Sequence, residues 1–87
     1  MKLKDGFLLR NMAGSNVVIP IGQRAVDMNG MITLNETGAF IWKQLEQGKN
    51  EDEIVAAILE TYDVEESRAR ACVATFLRKL AEVGCLA

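Results

Sequence analysis

Residues 28–45, MNGMITLNETGAFIWKQL, change hydrophobic period halfway along and decide the class of the fold. Asn29-Gly30 is a two-residue hairpin signal, because a type I′ turn demands positive φ at both central positions. Met31, Ile32, Thr33 and Leu34 then read as a short β-strand. Asn35 can cap a helix through its side-chain oxygen, and Glu36 sets a negative charge at the positive end of the helix dipole. From Ala39 onward, Ile41, Trp42 and Leu45 recur at helical spacing. A strand that runs directly into a capped helix joins a small sheet to a helical layer.

Upstream of this junction the pattern stays β. Phe7 to Met12 is predicted as a strand, followed by the turn residues Ala13-Gly14-Ser15-Asn16. Val17 to Ile21, rich in β-branched residues, reads as its partner. Pro20 cannot donate to a ladder and belongs near a strand end, an edge or a bulge. Gly22 breaks the run, and Arg24 to Met28 forms the first arm of the Asn29-Gly30 hairpin. The sheet has three or four antiparallel strands, depending on whether Val17 to Met28 is one bent strand or two.

Downstream the pattern is helical. Helix one runs from about Glu36 to Gln47 and stops at Gly48. Asn50 opens a capping box with Glu53, followed by a second helix with Ile54, Ile58 and Leu59 on one face and Val55 and Tyr62 flanking. Asp63 opens a further Asp-x-x-Glu box with Glu66. Helix three spans about Glu65 to Val83, with Ala69, Val73, Phe76, Leu77, Leu80 and Val83 inward, and Gly84 ends it. The expected class is α+β: a small N-terminal antiparallel sheet followed by three helices, in the outline of a winged helix-turn-helix.

The chain has 87 residues, which suits one domain spanning residues 1–87. A core of that size leaves little room for an enclosed catalytic cavity. Ten basic residues against 12 acidic ones argue against broad affinity for nucleic acid or anionic membrane. The two cysteines, Cys72 and Cys85, are expected to be one core thiol and one tail thiol in a reducing compartment. No apolar run near the N-terminus suits a signal peptide or a membrane span, so a cytoplasmic location is expected.

Catalysis finds little support. With no histidine in the chain, a His-dependent dyad is excluded. Glu51-Asp52-Glu53 and Glu65-Glu66 stand in first turns of helices, where acids oppose the dipole. The glycines are scattered at turns and ends rather than gathered into a phosphate-binding loop. The sequence reads as a non-enzyme without cofactor or metal.

Two binding readings survive. One is a winged-helix DNA-binding transcriptional regulator, with helix three as the recognition helix. At 100° per residue, however, Arg68 and Lys79 fall on one flank of its apolar stripe and Arg70 and Arg78 on the other. The other reading is peptide capture. An extended peptide can add itself to an exposed strand edge and satisfy the unpaired backbone row. Arg68, Cys72, Thr75 and Lys79 share a flank, two small side chains between two basic ones. Such a wall admits an apolar side chain in the middle and attracts acidic residues outside it. The flank of Arg70, Ala74 and Arg78 is the fallback.

Met31 to Ala39, with Ile41-Trp42 and Leu45, Gly48, Ile54, Leu59, Tyr62-Asp63-Val64, Phe76-Leu77, Leu80 and Gly84, resembles the pattern of PqqD-like proteins. The resemblance runs from about Phe7 to the end of the chain. It implies a winged-helix-like RiPP recognition element, which binds the leader of a ribosomally made precursor peptide and presents it to a modifying enzyme, commonly a radical SAM enzyme. It also implies that the leader is held as an added strand between the third strand and the third helix. On this chain those elements supply Met31, Ile32, Thr33, Leu34, Arg68, Cys72, Thr75 and Lys79. The stretch Gly22 to Asn29 is longer than expected of members from the pyrroloquinoline quinone pathway, so a different peptide-modification pathway is at least as good a fit. Asn35 is expected to act as a cap, and Ala39, Ile41, Trp42 and Leu45 as core.

Overall fold

The computed structural model describes residues 3, 6–21 and 32–86. Strand β1 (Phe7–Met12) pairs antiparallel with β2 (Ser15–Pro20), in the register Phe7↔Pro20 to Met12↔Ser15. The turn between them holds only Ala13 and Gly14, at φ 54° and 83°. Positive φ at both positions matches the right-handed twist of the flanking strands. Ser15 and Asn16, read from sequence as turn residues, therefore belong to β2, because this turn type needs only two. Pro20 is the last residue of β2, where a missing donor does no harm.

Strand β3 (Ile32–Leu34) pairs antiparallel with β2, Asn16↔Leu34 and Val18↔Ile32, completing a three-stranded sheet in the order β1-β2-β3. The expected Asn29-Gly30 hairpin and its arm Arg24 to Met28 lie outside the described residues, as does Met31.

Three helices follow: α1 (Glu36–Glu46), α2 (Glu51–Thr61) and α3 (Glu66–Glu82). Local signals set most of their ends. The Asn35 side-chain oxygen accepts the Gly38 N–H at 2.7 Å, a cap that contributes about 1 kcal/mol. Asn50 and Glu53 form the expected capping box, both bonds at 2.9 Å. Helix α1 ends when Gly48 turns to φ 81°. Its N–H then bonds to Leu45 and that of Lys49 to Gln44. Helix α3 ends the same way, with Gly84 at φ 83° bonding to Ala81 and Cys85 to Leu80. These paired bonds satisfy carbonyls that a helix end leaves orphaned.

The start of α3 corrects the sequence reading. Its N-cap is Glu65, without a side-chain cap, so Asp63 opens no box. Tyr62 already has extended backbone, and the chain stays irregular until Glu66.

The core lies where α1 covers the sheet and α2 and α3 close over it. Val18, Ile41, Ile54, Val73 and Leu80 are fully buried there, with Trp42 at 1% exposure. Each large side chain so buried contributes about 1.5–3 kcal/mol. Trp42 meets Phe7 edge to face, ring centroids 6.5 Å apart, and so ties α1 to β1. Its buried Nε1 has no hydrogen-bond acceptor among the described residues.

Two core assignments change. Val55 is buried while Leu59 is 37% exposed, because the stripe of α2 is centred one position earlier than its apolar spacing suggested. Phe76 and Val83 are only partly buried at the margin of the core. Of the thiols, the tail residue Cys85 is fully buried and Cys72 is exposed. The turn at Gly84 folds Cys85 back beside Leu80, and a β-bridge between Leu3 and Leu86 holds the terminal segment down.

Candidate functional site

Because the sheet order ends on β3, that strand has one edge on β2 and the other without a strand partner among the described residues. Such an edge presents backbone donors and acceptors to any extended chain that reaches it. Helix α1 begins two residues after β3 ends, and α3 returns across from it. Between β3 and α3 lies an open groove of about 650 Å³.

The strand side of this groove is Thr33, Leu34 and the cap residue Asn35, and its floor is Gly38 and Ile41 of α1. The facing wall is one stripe of α3: Arg68, Ala71, Cys72, Thr75, Phe76 and Lys79. Residues three and four apart share a helix face, which is why these positions converge. Small side chains at 71, 72 and 75 leave the middle of the wall recessed, while Arg68 and Lys79 stand at its two ends. The floor is close-packed. A Cβ on Gly38 would lie 3.0 Å from Phe76 Cε1 and 3.1 Å from the Asn35 cap oxygen, so glycine there leaves room for the Phe76 ring at the groove base.

Six residues named from the sequence line the groove together: Thr33, Leu34, Arg68, Cys72, Thr75 and Lys79. Ile32 instead is half-buried and packs against the core, and Met31 lies outside the described residues. The fallback residues Arg70, Ala74 and Arg78 do not line it. Sequence reasoning missed Ala71 and Phe76, although Ala71 follows Arg68 at helical spacing. It also missed Gly38, whose position inside the first turn of a helix was a signal of close approach.

The electrostatics separate two neighbouring arginines. Arg70 donates from Nη1 to Asp52 and from Nε to Glu66, each at 3.0 Å. These hydrogen bonds, Asp52 first, raise its pKa above the ordinary arginine value. Arg68 and Lys79 make no ion pair among the described residues. The four basic residues of α3 thus form no single face of the kind a recognition helix turns to a major groove. Arg68 and Ala71 also line a second recess of about 600 Å³, in which Asp63 and Glu65 stand beyond the arginine.

Among the described residues no cluster of three metal-ligating side chains forms, and no helix is long and apolar enough to cross a membrane.

The family model for coenzyme PQQ synthesis protein D (PqqD) matches residues 17–86. TbiB1, solved in complex with the TbiA(β) leader peptide, is 29% identical over 99% of this chain and 94% of its own, with a TM-score of 0.80. Lasso peptide synthetase B1, solved with its leader peptide, shares the fold at a TM-score of 0.79 and 20% identity, over 99% and 95% of the two chains. No curated protein matches the chain.

Proposed function

This chain belongs to the PqqD family, and we propose that it is a non-catalytic adaptor that captures the leader of a ribosomally made precursor peptide. The leader adds as a strand to the outer edge of β3 and lays its side chains against α3. The single observation that carries this reading is the coincidence, among the described residues, of a sheet edge without a strand partner and a recessed helical wall across one groove. Backbone bonds to the edge give affinity without regard to sequence, and the pocket over Cys72 and Thr75 selects an apolar side chain. The leader complex of TbiB1, a protein of the same fold and similar length, supports the same use of this chain.

The adaptor then presents its peptide to a separate modifying enzyme in the cytoplasm, where such precursors are made. A radical SAM partner rests on the family resemblance alone. The long stretch Gly22 to Asn29 favours a pathway other than pyrroloquinoline quinone.

The test is a titration of ¹⁵N-labelled protein with a synthetic peptide matching the leader of the short open reading frame encoded nearest this gene. Saturable amide shifts concentrated in residues 32–34 and 68–79 are the expected result. Saturable binding to duplex DNA at physiological salt, with no peptide binding, would overturn it.

A further inference from the structure

Strand addition has a weakness that this groove has the means to correct. Backbone pairing alone does not specify register, since a strand can slip along an edge and keep its hydrogen bonds. Among the described residues the template is the three-residue strand Ile32–Leu34, which offers few ladder bonds to hold a peptide in place. Something besides the backbone must set where the peptide stops.

We infer that charge sets it: Arg68 and Lys79 hold an added strand in register by pairing with two acidic side chains that flank one apolar side chain. This rests on the peptide-capture reading above and names the class of peptide. Two observations carry it. First, α3 has one arginine already neutralised by Asp52 and Glu66, at position 70, and keeps its groove-facing cations without carboxylate partners among the described residues. Two cations at the ends of a groove, on a chain of net charge −2, make a local reversal of sign. Second, past Arg68 the sign reverses again, at Asp63 and Glu65. A peptide that slips that way takes its acid from Arg68 and sets it beside two carboxylates. Specificity then comes from the repulsive neighbour as well as from the attractive one.

The spacing follows from geometry. Lys79 stands about three helical turns from Arg68, roughly 16 Å along the axis. Side chains on one face of an extended peptide recur at every second residue, about 6.6 Å apart. Acidic residues four apart therefore span roughly 13 Å, and the flexible side chains of Arg68 and Lys79 close the difference. The residue midway between them points to the recess over Cys72 and Thr75. The pattern is acidic-x-apolar-x-acidic.

Three fluorescein-labelled synthetic nonapeptides test it by anisotropy against the full chain at low salt. One carries Glu-Thr-Leu-Thr-Glu between flanking Thr and Val residues. A second replaces both glutamates by glutamine, and a third moves both glutamates to one end without changing composition. The first should bind about tenfold more tightly than either other peptide. The double variant Arg68→Glu, Lys79→Glu, at exposed positions whose folding is checked by circular dichroism, should lose that preference. It should instead favour a peptide with lysines in place of the glutamates. Equal affinity for the first and third peptides overturns the register device, and so does binding of the gene-neighbour leader when the first peptide does not bind. Both of those outcomes leave peptide capture standing. Failure of the leader and of every synthetic peptide to bind overturns capture and register together.

Discussion

Only Asn35 separates β3 from α1, yet the two elements are built on different terms. In α1 the residues Ala39, Ile41, Trp42 and Leu45 are all under about a twentieth exposed, and every one faces the core. In β3 and the stripe of α3 opposite, Thr33, Arg68, Cys72, Thr75 and Lys79 are exposed around an open groove. The first region holds part of the pattern by which the chain resembles its family, whose model matches residues 17–86. The second region has little pattern beyond small side chains between two cations.

Substitutions that hit one region and spare the other sharpen this contrast. Trp42→Ala should have the largest effect, a loss of about 3–5 kcal/mol in urea unfolding, because it empties the site where α1 meets Phe7. A variant that unfolds at the wild-type urea midpoint but no longer binds peptide would move Trp42 from core to site. Gly38→Ala tests a place where the two regions touch. Its new methyl group asks the Phe76 ring and the Asn35 cap oxygen to give by a few tenths of an ångström, which offsets the gain of about 1 kcal/mol that alanine brings to a helix, so stability should change little. Phe76 lines the groove, so a shift of its ring reshapes the binding surface, and peptide affinity should fall more than stability.

Cys72→Trp should do the reverse of Trp42→Ala. It fills the recess of the wall, weakening leader binding at least about tenfold, or roughly 1.4 kcal/mol. Its unfolding midpoint should stay within error, since Cys72 is exposed. The smallest effect is expected from Arg70→Ala. Both of its ion pairs lie on exposed side chains away from the groove, so neither the unfolding midpoint nor peptide affinity should change measurably.

Much of this could be read from the sequence wherever a short-range signal acts alone. The Asn50–Glu53 box, the glycine ends of α1 and α3 and the strand-end position of Pro20 are of that kind. The start of α3 was misread because the chain there obeys no cap chemistry, and Asp63 only resembles one. Leu59 and Val55 exchanged roles because four large apolar residues in an 11-residue helix allow two stripe centres, and tertiary packing chooses between them. Cys85 gave a signal that could have been used: the residue after a helix-ending glycine folds back on the last turn. For the groove, spacing alone grouped Arg68, Cys72, Thr75 and Lys79, but only the position of β3 shows that this flank and not that of Arg70 lines it.

The central claim is that a peptide joins the sheet at the outer edge of β3. Intermolecular nuclear Overhauser contacts between a bound leader peptide and isotope-labelled protein test it most directly. The account predicts cross-strand contacts from the peptide backbone to Ile32, Thr33 and Leu34, with peptide side chains touching Cys72 and Thr75. Contacts confined to the outer flank of α3 around Arg70, Ala74 and Arg78, with none to β3, would contradict it.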